Sequence, residues 1–471
     1  MRFLKLSFAT TGSVLFLLDV LLVAVIWPLT MWAAGPSSNE HGFDIRAVAY
    51  PVADLLALFA MGMYRRDALL GMRKTLVRIP LVVGMGCVLA VLCSLLQPSL
   101  RLGPLVWHAG QGQATVFGLA AVAFTAAAFL ARAIFHFLLH LRVLHRKLLV
   151  VGAGERAFDL LHMLTKEGSN LHYEIAFLHD PELGKIDPRL EAKPEVQILR
   201  LEQHGVLEAA QMVRADEIVI APDDRRGMDL ECLLDCKKAG FPVVQYLSFI
   251  EAEIRRIDLK RMELGWLVFS DGFTFSAIDR FLKRVFDLVV SLLVLVLAAP
   301  LLLAGMIAIR WEGPGPVFYR QERVTLDGKV FWILKLRTMR VDAEAQGAVW
   351  AATQDSRITK VGNFLRRVRI DELPQLLNIL KGDMSFVGPR PERPMFVAEL
   401  VREIPLYNER HMVKAGLTGW AQVNYPYGAS IEDARSKLSY DLYYVKNFSI
   451  LFDLVILLQT MREVLWPSGV R

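Results

Sequence analysis

Long apolar stretches constrain this chain more than any other feature, because a helix needs roughly 20 predominantly apolar residues to cross the hydrocarbon core of a membrane. Four stretches of that kind occupy residues 6–32, 48–64, 76–96 and 114–139. The composition agrees, since 54% of the residues are hydrophobic and only 22% are charged. The sequence therefore predicts a membrane protein whose first domain, residues 1–141, is a four-helix transmembrane bundle.

The basic residues between these stretches predict how the bundle is oriented. The first and third loops hold one basic residue each, whereas the second loop and its border hold Arg65, Arg66, Arg73, Lys74 and Arg78. Because basic loops tend to stay in the cytoplasm, both ends of the bundle should lie there. The net charge of +6 is modest for 471 residues, so we expect no nucleic-acid partner.

A fifth apolar run, residues 288–309, has basic residues at both ends and a proline inside. A single crossing would export everything after it, against the preference of basic residues for the cytoplasm. Pro300 removes a helix hydrogen bond and favours a bend. We therefore expect residues 280–310 to form a re-entrant helix that turns at Pro300 and returns to the same membrane face. An ordinary kinked span is the alternative, because membrane helices tolerate proline.

Residues 142–262, which follow the bundle, have the pattern of a Rossmann-like α/β domain. A strand beginning at residue 148 leads into Gly152-x-Gly154-x-x-Ala157 and a helix over 158–164. Further strands are expected at 174–178, 217–221 and 243–246. Such a turn can hold phosphate at the start of its helix, so dinucleotide binding, a regulatory role, and a vestigial or scaffolding role all remain open. Residues 263–279 are expected to be a linker.

The carboxyl-terminal domain, residues 311–471, is expected to be small and mostly helical. Its adjacent acidic residues, Asp371 and Glu372, lie just before Pro374, so a helix should begin near the pair and end at Gly382. The helix dipole should keep both carboxylates ionised near neutral pH. A carboxylate among basic groups suits nucleophilic attack on a phosphate. The alternative is a capped helix start beside a solvated basic face.

Several basic and amide side chains of the same domain are candidate ligands for an anionic substrate. Arginine binds phosphate oxygens with bidentate geometry, and one carboxylate together with the substrate could hold Mg²⁺. The candidate substrate-binding residues are Lys335, Arg337, Arg357, Arg366, Arg369, Gln375, Asn378 and Arg390.

Three motifs of this domain resemble those of a known family. They are Lys335-x-Arg337-Thr-Met, Asp371-Glu-Leu-Pro-Gln and Gly388-Pro-Arg-Pro. Together they resemble the bacterial polyprenyl-phosphate hexose-1-phosphate transferases, also called monotopic phosphoglycosyl transferases. The resemblance is close from about residue 280 onwards, and the preceding helices and Rossmann-like insert are similar to the large, WbaP-like form. It therefore covers essentially the whole chain.

The resemblance implies an activity and a cellular location. Asp371 would attack the sugar-bearing phosphate of a UDP-sugar, release UMP and carry the sugar phosphate covalently, with Mg²⁺ bound at Asp371. Glu372 would assist the acceptor, undecaprenyl phosphate. The enzyme would lie in the bacterial inner membrane with its catalytic domain on the cytoplasmic face. It would begin exopolysaccharide, capsule or O-antigen synthesis, and its membrane helix would bend at Pro300.

Two other functions fit parts of the sequence. One is a membrane-anchored nucleotide-sensing regulatory protein whose Rossmann-like domain binds the ligand. The other is a Rossmann oxidoreductase that modifies a nucleotide sugar. For the transferase, the expected partners are a UDP-sugar, undecaprenyl phosphate, membrane lipid and a second copy of the chain in a homodimer. Glucose, galactose and N-acetylated hexoses all remain open as the sugar.

The last apolar stretch, residues 448–458, allows two placements. An amphipathic helix on the membrane surface and a helix packed in the core both fit it, since Asp453 interrupts the apolar run. The nearby Asp441, Tyr443 and Tyr444 are expected to belong to the core rather than to line a pocket.

Overall fold

The computed structural model describes residues 10–33, 46–64, 72–96, 111–141, 145–166, 173–201, 205–262, 264–341, 343, 357–425, 428 and 430–465. The loop residues Arg65, Arg66 and Arg101, on which the predicted orientation partly rests, lie outside these ranges. The chain forms two compact units, Met1–Ile254 and Arg255–Arg471.

The amino-terminal unit opens with four helices that share one apolar core. The helices are α1 (Thr10–Ala33), α2 (Arg46–Ala60), α3 (Met72–Leu96) and α4 (Gln111–His140). Each contributes to the core through side chains such as Trp27, Tyr50, Ile79 and Phe124. The outward side chains are also apolar, with Leu21 61% and Val122 69% exposed. Helices that are apolar on every side are typical of membrane spans.

Three described helical segments are long and apolar enough to cross a membrane. They are Gly12–Thr30 in α1, Gly118–His140 in α4 and the later helix Ala277–Glu312. The apolar parts of α2 and α3, Tyr50–Ala60 and Thr75–Val88, are shorter. The predicted membrane character is therefore confirmed, while four crossings and a re-entrant turn stay predictions.

The rest of the amino-terminal unit is a parallel sheet with helices between its strands. Its elements are β1 (Arg146–Val151), α5 (Glu155–Lys166), β2 (Tyr173–His179), α6 (Pro188–Glu191), β3 (Gln197–Arg200), α7 (Val206–Val213), β4 (Glu217–Ile220), α8 (Leu230–Lys238), β5 (Val243–Gln245) and α9 (Tyr246–Ile254). The strand order is β3-β2-β1-β4-β5, and every neighbouring pair is parallel. The predicted parallel sheet is confirmed, with the strand order of a doubly wound domain.

Two details of this sheet differ from the sequence expectation. The strand β3 was not predicted, because it is a four-residue edge strand with no fully buried side chain and so lacks a strong apolar pattern. Tyr246, expected to end a strand, instead begins α9 and is fully buried there.

The glycine turn after β1 is occupied by a side chain of the same chain. Gly152 has a φ of 112°, which favours glycine. Asp223 accepts hydrogen bonds from the backbone N–H groups of Glu155 at 2.8 Å and Arg156 at 2.9 Å, the first residues of α5. A side chain at Gly154 would collide with this carboxylate. Asp223 therefore lies where a phosphate would bind in a dinucleotide-binding domain.

We expect Asp223→Ala to lower the free energy of unfolding by about 1–2 kcal/mol, because two helix N–H groups lose their acceptor. Inorganic phosphate should recover part of this loss in the variant and leave the wild type unchanged, as measured by thermal unfolding of the full chain. The control is Asp224→Ala, whose carboxylate pairs with Arg226 at the surface. If NAD⁺ raised the melting temperature of the wild type as much as that of Asp223→Ala, the turn would be open to a ligand, and its occupation by Asp223 would be contradicted.

The carboxyl-terminal unit combines helices with two small sheets. Its elements are α10 (Leu264–Phe269), α11 (Ala277–Glu312), β6 (Phe318–Val324), β7 (Val330–Leu336), α12 (Lys360–Arg367), α13 (Gln375–Lys381), β8 (Ser385–Val387), α14 (Pro394–Glu403), β9 (Gly416–Thr418), α15 (Trp420–Asn424), α16 (Ile431–Lys446) and α17 (Ile450–Leu465). The strands β6 and β7 form an antiparallel hairpin, and β8 pairs with β9 in parallel.

The segment before α11 packs on this unit, which differs from the predicted boundaries at 262 and 279. Ile257 lies in an apolar cluster with residues of β6, α14 and α16. The indole N–H of Trp420 donates to the Arg255 carbonyl at 2.9 Å. Gly272, with a φ of 114°, lies against the backbone of Lys446. Residues 255–262 therefore belong with the carboxyl-terminal unit, and part of the expected linker, at Gly272, packs on the same unit.

The helix α11 presents one face to its own unit and the other to the surroundings. Asp287, Ser291, Gly305 and Ile309 are its buried residues. Its exposed apolar side chains are Ile278, Phe281, Leu282, Val285, Val289, Leu292, Leu293, Val296, Leu297, Leu301, Leu303, Ile307 and Trp311. Contacts with the unit occur near both ends of the helix, since Lys283 pairs with Asp453 and Ile309 packs with Leu336.

The helix α17 packs in the core of its unit, which is one of the two placements predicted for residues 448–458. Phe452 and Ile456 belong to the main apolar cluster of the unit, and Asp453 is fully buried. Asp441 and Tyr444 are also buried, as expected.

Candidate active site

The adjacent acidic residues lie on a short 3₁₀ turn between α12 and α13. This turn comprises Ile370–Glu372 and follows Arg369, whose φ of 60° reverses the chain. The pair was expected at the start of the helix. It lies one turn earlier, because Pro374 occupies the N-cap position of α13. The predicted end of the helix is confirmed, since Gly382 terminates it with a φ of 100°.

Glu372 is held by three cations. Its Oε1 lies 3.2 Å from both Lys335 Nζ and Arg390 Nη2, and its Oε2 lies 3.3 Å from Arg369 Nη1. Burial alone would raise the pKa of Glu372, but Lys335, Arg390 and Arg369 outweigh it and hold that pKa well below its usual range. Glu372 is therefore a permanent carboxylate that brings together basic groups from three separate parts of the sequence.

Asp371 has the opposite environment. It is 7% exposed, and its Oδ1 has no hydrogen-bond partner within the described part of the chain. Burial, followed by the charge of Glu372, raises the pKa of Asp371 to about 6, although Lys335, Arg366 and Arg369 oppose the shift. At neutral pH Asp371 is mostly a carboxylate with a free oxygen, which suits attack on an electron-poor centre.

A small pocket lies beside Glu372 and is lined by Arg323, Ile333, Lys335, Glu372, Gln375, Arg390, Pro391 and Gly416. Arg323 was not among the predicted site residues. In the hairpin register Tyr319 pairs with Lys335 and Arg323 pairs with Phe331, so the period of two along β6 places Arg323 on the face that carries Lys335. Burial lowers the pKa of Arg323 to about 10, and the neighbouring Arg390 adds to this effect. The pocket is therefore strongly electropositive.

The structure brings five of the eight predicted substrate-binding residues near the acidic pair. Lys335, Arg369 and Arg390 contact Glu372, and Gln375 lines the pocket. Arg366 lies close enough to influence the pKa of Asp371 while its Nε donates to Thr338 Oγ1 at 2.9 Å.

The other three predicted residues are bonded to the protein backbone. Arg337 donates to the carbonyls of Pro314 and Gly313 at 2.9 and 3.1 Å, and Arg357 donates to that of Ala343 at 3.0 Å. The Asn378 amide accepts from the Leu334 N–H at 3.0 Å and donates to the Trp332 carbonyl at 2.8 Å. These bonds hold loops and the hairpin in place, so a direct substrate contact for these three residues stays a prediction.

Arg410, which was also not predicted, supports the loop that carries Arg390. Its Nη2 donates to Asp441 Oδ2 at 2.7 Å and to the Arg390 carbonyl at 3.0 Å, and its Nη1 donates to the Tyr407 hydroxyl at 2.7 Å. Arg410 is 4% exposed. An isolated arginine in sequence gives no sign of this role, because Arg390 and Asp441 are 20 and 31 residues away along the chain.

The start of the membrane helix α11 holds the elements on either side of the acidic pair. Arg284 donates from Nη1 and Nη2 to the carbonyls of Ile379 and Leu380 at 2.6 and 2.7 Å, at the end of α13. Asp287 accepts from Ser385 Oγ at 3.1 Å and from the Phe386 N–H at 3.0 Å, in β8. Since β8 leads into the loop of Arg390, α11 fixes both sides of the site.

We expect Asp287→Asn to lower the free energy of unfolding of this unit by about 1–3 kcal/mol. The reason is that the variant loses the ion pair with Lys283 and accepts weaker hydrogen bonds from Ser385 and Phe386. Denaturant or thermal unfolding in detergent measures the change. Ser291→Ala on the same helix is the matched control, since Ser291 is buried and its Oγ has no partner in the described structure. Equal stability of the two variants would show that the Asp287 contacts do not hold the site.

Comparison with known proteins identifies similar chains. A family model described as bacterial sugar transferase matches residues 278–467. The UDP-N-acetylgalactosamine-undecaprenyl-phosphate N-acetylgalactosaminephosphotransferase of Aeromonas hydrophila is 40% identical over 264 residues, which cover 55% of this chain and 61% of that protein. The UDP-glucose:undecaprenyl-phosphate glucose-1-phosphate transferase of Escherichia coli K12 is 41% identical over 188 residues, 40% of each chain.

A shorter relative is matched over most of its length. The UDP-glucose:undecaprenyl-phosphate glucose-1-phosphate transferase of Caulobacter vibrioides is 44% identical over 185 residues, which cover 39% of this chain and 69% of that protein. The chain spans less than two thirds of the Aeromonas and Escherichia proteins.

Proposed function

Because the chain belongs to the bacterial sugar transferase family, we propose that it transfers a sugar 1-phosphate from a UDP-sugar to undecaprenyl phosphate and releases UMP. The observation that carries this proposal is the division of the acidic pair. Glu372 is fully engaged by cations, while the adjacent Asp371 keeps a buried oxygen free. A free carboxylate beside a cationic pocket suits a reaction between two phosphates.

In the proposed reaction Asp371 forms a covalent phosphosugar intermediate. A carboxylate oxygen of Asp371 attacks the sugar-bearing phosphorus, and the bond from that phosphorus to the bridging oxygen breaks, so that UMP leaves with the electron pair. An oxygen of undecaprenyl phosphate then attacks the same phosphorus. The acyl-phosphate bond breaks, and Asp371 returns as a carboxylate. The cations of the pocket offset the charge that gathers on the phosphate oxygens.

Glu372 would assist the acceptor by holding these cations rather than by removing a proton. Its lowered pKa makes it a weak base. A phosphate monoester has its second pKa near 6 and is already largely ionised at neutral pH, so the acceptor needs no base. Lys335, Arg369 and Arg390 are the groups that Glu372 keeps in place.

Mg²⁺ fits the site through Asp371. Mg²⁺ is usually held by one or two carboxylates together with substrate phosphates, and the Asp371 carboxylate would be such a ligand through the oxygen that does not attack the phosphorus. The described residues contain no cluster of three or more His, Cys, Asp or Glu that could hold a metal, so phosphate oxygens and water would complete the coordination. When bound, the ion would neutralise charge on the phosphates.

The proposed location is the cytoplasmic face of the bacterial inner membrane, with a four-helix transmembrane bundle and a re-entrant α11. A straight helix of 36 residues would be about 54 Å long, whereas the hydrocarbon core is about 30 Å thick. Both ends of α11 contact the same unit, and its outer face is apolar. A helix that bends at Pro300 and returns to one membrane face accounts for all three observations.

The proposed partners are the UDP-sugar, undecaprenyl phosphate and membrane lipid, and the homodimer stays a prediction. The relatives named for N-acetylgalactosamine and for glucose show that the sugar varies within the family. The step would be the first membrane reaction of exopolysaccharide, capsule or O-antigen synthesis. The free oxygen of Asp371 favours an enzyme over a nucleotide sensor, and the Asp223 carboxylate in the glycine turn disfavours a dinucleotide-dependent oxidoreductase.

We expect Asp371→Asn to reduce UMP release by at least ~10³-fold, because the amide has no nucleophilic oxygen of comparable strength. The assay supplies membranes with undecaprenyl phosphate and a panel of UDP-sugars. Asp327→Asn is the matched control, since Asp327 is exposed and its φ of 55° suits asparagine. A variant at position 371 that keeps the wild-type rate with the preferred sugar would refute the proposed function.

The rate should depend on pH through Asp371. Because burial raises its pKa to about 6, the reactive carboxylate is lost as the pH falls through that value. We expect kcat/KM to decrease about tenfold per pH unit well below pH 6 and to level off above it. A rate that stays constant through this range would contradict an attacking Asp371.

A further inference from the structure

A buried group of charged side chains lies inside the amino-terminal helices and is not used by the proposed transferase reaction. Asp19 on α1, Asp54 on α2 and Arg132 on α4 are exposed by 0%, 1% and 2%. They lie among the apolar side chains that form the core of these helices. Ionisable residues inside membrane helices are costly, so each of them needs a specific compensation.

Asp19 and Arg132 compensate each other directly. Arg132 Nη1 forms an ion pair with Asp19 Oδ1, and the guanidinium also lies 5.8 Å from the centre of the Tyr64 ring. This pair has no net charge. The guanidinium provides the only positive charge in the group, so a second carboxylate would leave one unit of negative charge in the apolar core.

Asp54 is that second carboxylate. Neither of its oxygens has a hydrogen-bond partner among the described residues. Its side chain lies against Gly86 of α3, where an added Cβ would be 3.1 Å from Asp54 Oδ1 and 2.8 Å from its Cα. A buried carboxylate without hydrogen bonds is strongly unfavourable, whereas the neutral acid carries no such charge.

The titratable groups that face Asp54 come from all the neighbouring elements. Asp19 and Arg132 interact with it electrostatically, as do Tyr64, which follows α2, and the buried thiol of Cys87 on α3. Among these described groups, Arg132 is the one cation, and it already forms an ion pair with Asp19. The charge count of the group therefore balances when one of the two acids carries a proton.

We propose that Asp54 is a proton-binding site within the amino-terminal helices, where its carboxyl group is held as the neutral acid and the group of Asp19, Asp54 and Arg132 carries no net charge. Loss of the proton would place a negative charge between α2 and α3. The packing of these helices and the proton content of Asp54 are therefore linked, independently of the chemistry at Asp371.

Infrared difference spectroscopy of the full chain in detergent tests the proton directly. We expect the wild type minus Asp54→Asn spectrum at neutral pH to contain the C=O band of one protonated carboxyl group. The same subtraction with Asp327→Asn, at an exposed aspartate, should contain no such band. A carboxylate band in place of the carboxyl band would overturn the proposal, because it would mean that Asp54 is ionised.

A second variant keeps the test valid if Asp54→Asn does not fold. In Asp19→Asn, Arg132 has only one acid left to pair with, so Asp54 should become a carboxylate paired with Arg132. The spectrum of this variant should therefore lack the carboxyl band that the wild type shows. Persistence of the band in Asp19→Asn would contradict the charge count. Replacing Na⁺ by choline should leave the wild-type band unchanged, and a band that appears only in choline would assign the site to a metal cation instead.

The linkage predicts that stability depends on pH. Since the folded state holds a proton that Asp54 of the unfolded chain releases at its ordinary acidic pKa, the melting temperature of the amino-terminal helices should fall as the pH rises from that value and should level off once the folded protein has also released the proton. The Asp54→Asn variant should not share this decrease. Parallel decreases in the wild type and the variant would show that Asp54 binds no proton that the fold depends on.

Discussion

The convergence of three cations on Glu372 is the interaction on which the rest of the site depends. Lys335 comes from the hairpin, Arg369 from the turn itself and Arg390 from the loop after β8. One carboxylate therefore ties three separate segments together and concentrates positive charge beside Asp371. Because Glu372 satisfies these cations, Asp371 is left with a free oxygen. This geometry therefore divides the pair into a carboxylate bound by cations and a carboxylate with a free oxygen, and the proposed reaction uses the second.

The membrane helix α11 also holds the elements that form the site. Its first turns cap the end of α13 through Arg284 and bind β8 through Asp287, so the element that meets lipid also sets the spacing of the site. A lipid phosphate can reach only the interfacial plane of a membrane. Under the proposed function, a carboxyl-terminal unit fixed to a re-entrant helix at that plane would meet such a phosphate without a large movement.

Local structure was predictable from the sequence, whereas contacts between residues far apart in the sequence were not. The apolar stretches, the parallel sheet and the end of α13 follow from periodicity and from proline and glycine signals. Asn378, a predicted substrate ligand, also holds the hairpin through its amide, which the sequence did not predict, and neither Arg410 nor Asp223 was recognised. Apart from Tyr407, which is three residues from Arg410, their partners lie about 20 to 70 residues away in sequence, and nothing in a local pattern encodes such contacts.

The central claim is that Asp371 carries the sugar phosphate as a covalent intermediate. Its most direct test is a single-turnover reaction in which labelled UDP-sugar is added without acceptor, followed by proteolysis and mass spectrometry. We expect label on the peptide that contains Asp371, with an equal amount of UMP released, and transfer of that label to undecaprenyl phosphate when it is added. Label on any other residue, or lipid product formed at full rate without a labelled protein, would contradict it.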